Sequence, residues 1–317
     1  MDEKVLNFLS YGRKIGASDI ILKEDENISY RVKGKVERVK RKVTSEEMDS
    51  VYINMKPSGF IYEYADPVSN YDIAFEYEGR YRVNLFLSNE KKCAVFRIIN
   101  SDIKSLTDLS LPKNISDMVK NDKGLSLVVG KTGAGKSTTL AAIIKDILET
   151  DQCHIITLED PIEYIFGNNR GIVTQRELGK DFLSFEEGIY QSLRQSPDYI
   201  VIGEIRNSSS LRAAIMAAEA GHGIIATMHS LGAEKTITKM LSMFPDSEKD
   251  FFRYEIATNL NFVLSQKLYY VKEQTNLDYE FLRNTKSVSN TIREGRLNQI
   301  NNIIMLSEKD NMKAFDT

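Results

Sequence analysis

Apolar and polar residues alternate through much of the first hundred positions, and the rhythm then changes. Residues 3–16 start with helical spacing: Val5, Leu6, Leu9 and Ile15 share roughly one side, and Gly16 supplies a stop. Strand-like stretches follow at 19–23, 28–33, 35–40, 72–77, 80–87 and 93–99. FEYEGRYRVNLF alternates around Glu78-Gly79, the pattern of a hairpin. Thr44 followed by Glu47 is a capping box and predicts a helix over 45–55. These elements predict a small α/β domain over residues 1–99. The polar, turn-rich stretch NSDIKSLTDLSLPKN, residues 100–114, is the expected linker.

Past the linker, short wholly apolar runs stand at 125–129, 155–158, 199–202 and 224–227. Runs buried on both faces suit central strands of a mainly parallel sheet. Helices lie between them. Leu140, Ile143, Ile144, Ile147 and Leu148 keep i, i+3, i+4, i+7, i+8 spacing. Ser184 with Glu187 caps a helix bearing Phe185, Ile189 and Leu193, and an Ala-rich helix spans 209–220 up to Gly221. Helices are also expected over 236–243, 247–261 and 286–305, with a hairpin at 262–283. Strand–helix alternation predicts an α/β domain over 115–317, binding ligands at the carboxyl ends of its strands.

Composition narrows the class. Of 317 residues, 42% are hydrophobic and 27% charged, which suits a folded globular chain rather than a disordered one. Lysine and arginine number 42 against 45 acids, so a generally basic nucleic-acid coat is excluded. Residues 31–42 still hold seven Lys or Arg and one Glu. With Val32, Val36 and Val39 between the charges, they read as the wet face of a hairpin, with a nucleic-acid or acidic-lipid patch as the alternative. Cys93 and Cys153 form neither a disulfide framework nor a four-cysteine zinc site, and point to a reducing compartment. No apolar run reaches the ~18 residues of a membrane span, and the start lacks signal-peptide order.

The chemistry centres on Gly130-Lys131-Thr132-Gly133-Ala134-Gly135-Lys136-Ser137-Thr138, a full GxxxxGK[ST] match between a predicted strand and a predicted helix. Its glycines let backbone N–H groups turn toward a phosphate chain at a helix N-terminus. Lys136 is expected on the β- and γ-phosphates of ATP and the Ser137 hydroxyl on Mg²⁺. Acids follow two later strands: Glu159, Asp160 and Glu163 after one, Glu204 after the other. One acid is needed near Mg²⁺ and one to orient the attacking water. Asp160 also reads as a turn cap before Pro161. His222 and His229 bracket the strand 224–227. His229 lies at the phosphate side, and His222 on the opposite edge, with a subunit contact or a contact to the bound nucleotide as its readings. His154 reads as structural.

GKTGAGKST, ITLEDPIEY, YIVIGEIR and AAEAGHGIIATMHS, in that order, resemble the bacterial type II/type IV secretion ATPases, most closely the PilT-like retraction motors of type IV pili. The resemblance covers nearly the whole chain, from Gly16-Ala-Ser-Asp19 to the segment ending at Ile300. It implies a PAS-like N-terminal domain, a RecA-like P-loop ATPase domain with a helical C-terminal region, and a homohexameric ring. It further implies Glu163 as catalytic carboxylate, Glu204 as Walker-B acid beside Mg²⁺, His229 as sensor, and Arg80, Arg82 and Arg97 reaching the nucleotide. The implied location is cytoplasmic, peripheral at the membrane, working on an inner-membrane pilus platform protein and without a stable nucleic-acid partner. Residues 100–114 would hinge between the domains during the ATP cycle. Ile21, Lys131, Ala134 and Asn207 depart from the usual pattern, and Ser289-Asn290 stands where the C-terminal retraction signature is only partly kept. An assembly ATPase of a pilus or pseudopilus is the main alternative; assembly motors usually add an N-terminal domain and a four-cysteine motif. A non-hydrolysing nucleotide-binding regulator is the alternative from another class, and Glu163, Glu204 and His229 weigh against it, since binding alone needs no water-activating acid.

Overall fold

A computed structural model of the chain describes residues 1–55, 71–99, 102–167, 170–271, 274–307 and 310–316. Contacts divide it into two units: Met1–Asp102 with Pro161–Ile165, and Ile103–Asp160 with Phe166–Thr317. Residues 100 and 101 of the expected linker lie outside the described residues. Leu106 and Leu111, farther along it, are buried in the core of the second unit.

The first unit runs α1 (Glu3–Lys14), β1 (Ala17–Lys23), β2 (Asn27–Val32), β3 (Lys35–Lys42), α2 (Ser45–Met55), β4 (Tyr71–Glu76), β5 (Arg80–Ser88) and β6 (Lys91–Ile99). The strands form one antiparallel sheet in the order β3-β2-β1-β6-β5-β4. Its core joins Val5 and Leu9 of α1 and Met48 and Val51 of α2 to Ile20, Leu22, Val83 and Phe96 of the sheet. α1 packs so close to β1 that a Cβ on Gly12 would stand 2.5 Å from Ile20 Cδ1, so the glycine permits the contact. The capping box closes reciprocally: Glu47 N donates to Thr44 Oγ1 at 3.2 Å, and Thr44 N to Glu47 Oε2 at 2.9 Å. Glu78 and Gly79 both take positive φ and turn the predicted hairpin from β4 to β5.

The second unit runs α3 (Asn114–Asn121), β7 (Leu125–Val129), α4 (Lys136–Thr150), β8 (His154–Glu159), β9 (Ile172–Glu177), α5 (Phe185–Ser192), β10 (Tyr199–Ile202), α6 (Ser208–Glu219), β11 (Gly223–Met228), α7 (Ala233–Ser242), α8 (Asp246–Asn259), β12 (Leu260–Val271), β13 (Gln274–Arg283), α9 (Lys286–Arg293) and α10 (Ile300–Leu306). Its sheet has the order β13-β12-β7-β11-β10-β8-β9. β12, β7, β11, β10, β8 and β9 are parallel to one another, and β13 alone is antiparallel. The four apolar runs are the middle strands β7, β11, β10 and β8. Every residue of β7, β10 and β11 is buried.

Three expectations change. β9 was not foreseen: it is an edge strand with exposed Ile172 and polar Gln175 and Arg176, so it carries no apolar run. The predicted hairpin 262–283 forms, but β12 also joins the main sheet alongside β7. The single helix over 286–305 is instead two, because Gly295 takes φ +71° and ends α9. Among the described residues no helix is long and apolar enough to cross a membrane.

Candidate active site

β7 ends at Val129, and the chain turns through Gly130–Gly135 into α4. Gly133 and Gly135 hold φ +78° and +81°, a backbone that side chains with Cβ resist. Gly130 is required for another reason: a Cβ there would lie 2.6 Å from the Gln266 carbonyl and 2.9 Å from Ala134 Cβ. Gln266, on neighbouring β12, also donates from Nε2 to the Ala134 carbonyl at 2.5 Å. The loop is therefore clamped from beneath by one buried side chain. Ser137 is exposed on the first turn of α4, whose N-terminal N–H groups face the loop.

The carboxyl ends of β7, β11, β10 and β8 bring a continuous polar chain together. Lys136 Nζ donates to the Gly130 and Lys131 carbonyls at 3.1 and 3.2 Å and stands 3.5 Å from His229 Nδ1. His229 Nε2 lies 3.0 Å from Glu204 Oε1. An ammonium can only donate, so in this arrangement Nδ1 faces Lys136 as acceptor and Nε2 donates to Glu204. Glu204 Oε2 accepts from Arg206 Nε at 2.8 Å, and Arg206 Nη1 reaches Asp160 Oδ2 at 3.1 Å. Burial would lower the Arg206 pKa, but the Glu204 and Asp160 carboxylates outweigh it and hold the guanidinium's pKa above its ordinary value. Glu159 Oε1 accepts from Thr157 Oγ1 at 2.7 Å and from Gln175 Nε2 at 3.0 Å.

Residues behind His229 hold it. Lys239 of α7 donates from Nζ to the His229 carbonyl at 2.5 Å. The start of α7 is tied to the C-terminal hairpin, with Ala233 N donating to Glu280 Oε1 at 2.6 Å and Gly232 N to Ser265 Oγ at 2.8 Å. Burial pushes the Glu280 carboxyl pKa up; the Ala233 N–H opposes this and Glu234 adds to it. Asn207 accepts from Ser210 N at 2.9 Å and caps α6, so an amide does the work an Asp would do there. Sequence reasoning did not single out Arg206, Gln266, Lys239 or Glu280. A cation two residues beyond Glu204 was a readable signal. Gln266 and Glu280 are brought in by β12 and β13, more than a hundred positions from the loop, and carry none.

The remaining predicted residues lie elsewhere. His222 is at the amino end of β11, its Nδ1 3.0 Å from the Pro197 carbonyl. The length of β11 separates it from His229, so the expectation that it touches the nucleotide of this loop is corrected. Arg80, Arg82 and Arg97 belong to the first unit. Arg82 and Arg97 are directly paired across β5 and β6, on the sheet face opposite Tyr81, Val83 and Phe96. Arg97 Nε binds Asp19 Oδ1 at 2.9 Å, and Arg82 Nε lies 3.4 Å from Asp72 Oδ1. Arg80 Nε donates to the Ile162 carbonyl at 2.7 Å, next to Glu163 in the 161–165 segment of the same unit.

Comparison with known proteins agrees with this architecture. The family described as Type II/IV secretion system protein matches residues 5–312. A twitching motility protein of Neisseria gonorrhoeae is 37% identical over 253 residues, covering 78% of this chain and 68% of that protein. The type IV pilus retractation ATPase PilT of Pseudomonas aeruginosa is 34% identical over 324 residues, covering 98% and 92% respectively. The crystal structure of the pilus retraction motor PilT with bound ADP superposes with a TM-score of 0.86 at 31% identity, covering 99% of this chain and 95% of that one. The α/β fold, an N-terminal domain with a RecA-like ATPase domain, is the one expected from the sequence.

Proposed function

The chain belongs to the type II/IV secretion system protein family as a PilT-like, ATP-hydrolysing enzyme, and from that premise we propose that it drives type IV pilus retraction as a homohexamer. The observation that carries the reading is the polar chain from Lys136 through His229 and Glu204 to Arg206 and Asp160, set at the ends of four parallel strands.

In this reading ATP lies on Gly130–Thr138. Lys136 gives up its loop carbonyls for the β- and γ-phosphates, a charged acceptor being the stronger partner. The Ser137 hydroxyl and the Glu204 carboxylate are the oxygen donors that would hold Mg²⁺ here. Bound Mg²⁺ would neutralise charge that develops on the phosphoryl oxygens. Glu204, or Glu163 beside Arg80, orients the attacking water. His229 links the lysine on the phosphates to that carboxylate and so registers whether the γ-phosphate is present. Arg80, Arg82 and Arg97 supply positive charge to the transferring phosphoryl group. The ring works at the cytoplasmic face of the membrane on a platform protein of the pilus base.

Steady-state ATPase assays test the chemistry. Lys136→Ala is expected to lose at least about a hundredfold in rate, the usual scale for removing one electrostatic contact to a transition state. Equal rates for variant and wild type would remove the motor reading. Deleting the gene tests the direction of work: more surface pili without twitching supports retraction, and loss of pili assigns assembly instead.

A further inference from the structure

β3 is the edge strand of the first unit's sheet, and it is wet on both sides. Each residue from Lys33 to Lys40 is exposed, including Val36 at 48% and Val39 at 38%. Lys35 pairs with Val32 and Arg38 with Ser29, three positions apart on β2, so the two cations stand on opposite faces. Lys33 and Gly34 both take positive φ and make the turn tight. The hairpin thus carries exposed charge on both faces, more than the single wet face its alternation predicts.

Its charge is concentrated. Seven cations lie within residues 31–42 against Glu37, in a chain whose net charge is -3. Two of the seven are engaged: Arg31 with Asp19, and Arg41 with Glu47. Lys33, Lys35, Arg38, Lys40 and Lys42 are exposed, and their side chains form no ion pair or hydrogen bond among the described residues. Glu26, whose carboxylate feels the Arg38 charge, is bound by Lys23 at 2.7 Å.

We propose that this hairpin, through Lys33, Lys35, Arg38, Lys40 and Lys42 with Val36 and Val39, docks on an anionic lipid surface. The inference deepens the membrane-side placement proposed above by naming the contact. Five exposed cations match a sheet of phosphate headgroups by charge, and two short aliphatic side chains among them suit the headgroup boundary. Proteins that bind single-stranded nucleic acid set aromatic rings among their cations, and residues 33–42 contain none. Each lysine or arginine near an anionic leaflet raises partitioning about fivefold.

The test is co-sedimentation of the full-length chain with vesicles of phosphatidylcholine alone or mixed with phosphatidylglycerol. Binding is expected only to the mixed vesicles, weakening as salt rises. The K35Q/R38Q/K40Q variant is expected to bind about a hundredfold more weakly. That variant should hydrolyse ATP at the wild-type rate, and Lys136→Ala should bind vesicles like wild type. Equal binding by wild type and triple variant would overturn the proposal, as would no binding to the mixed vesicles. Tighter binding of the wild type to duplex DNA than to the mixed vesicles at the same salt would likewise overturn it. Loss of vesicle binding with intact ATPase activity and pilus phenotype would leave the motor reading standing.

Discussion

At position 229 an imidazole stands between an ammonium and a carboxylate, and each of its nitrogens has a different task. The arrangement depends on Arg206. Its guanidinium takes one Glu204 oxygen and leaves the other for His229, while Asp160 holds the guanidinium from behind. Arg206 is thus a positioning residue. Arg206→Met should lower kcat by about tenfold to a hundredfold and leave the ATP KM within about threefold, because binding rests on the loop. Kinetics at saturating and limiting ATP separate the two effects; a KM rise with unchanged kcat would contradict it. The sequence made Lys136 legible through its glycine loop motif, and Glu204 and His229 through the apolar strands that end just before them. His222 was legible as lying at the far edge, because only one end of a parallel strand faces the phosphates.

Among elements, α7 shows how the site is braced. Its first N–H groups end on Ser265 and on the Glu280 carboxylate, both from the C-terminal hairpin. Burial raises the Glu280 pKa, so the folded protein holds that proton more tightly than the unfolded chain does. This contribution to stability is full below the unfolded value and falls as pH rises through the folded one. Glu280→Gln keeps an acceptor for Ala233 and removes the ionisation. The difference in melting temperature, variant minus wild type, should therefore be more positive at about pH 8 than at about pH 5. A constant difference would show that Glu280 titrates alike in both states. Apolar runs made the central strands readable. β9 and the seat of β12 were not, because an edge strand needs no apolar face and β12 joins β7 across more than a hundred positions.

For the molecule as a whole, the hydrophobic interior is divided. One cluster is drawn from residues 5–96, and two others from residues 106–312. Phe96 is fully buried in the first. Phe96→Ala should cost that unit about 3–5 kcal/mol and lower only its unfolding transition, leaving the transition of the other unit in place. Calorimetry would show this as one peak moving; both peaks moving together would mean that the units melt as one. The apolar rhythm changes near residue 100 and contacts divide the chain after Asp102, but no local pattern marked 161–165 as a piece of the first unit.

That small excursion changes how load would travel. The backbone passes between the two bodies after Asp102, after Asp160 and again after Ile165, and Arg80 grips the returning loop at Ile162. Residues 1–102 are joined covalently to the rest of the chain at one point, and the 161–165 loop adds a second, non-covalent hold through Arg80. A protease nick after Asp102 would leave residues 1–102 held to the 161–165 loop by non-covalent contacts alone.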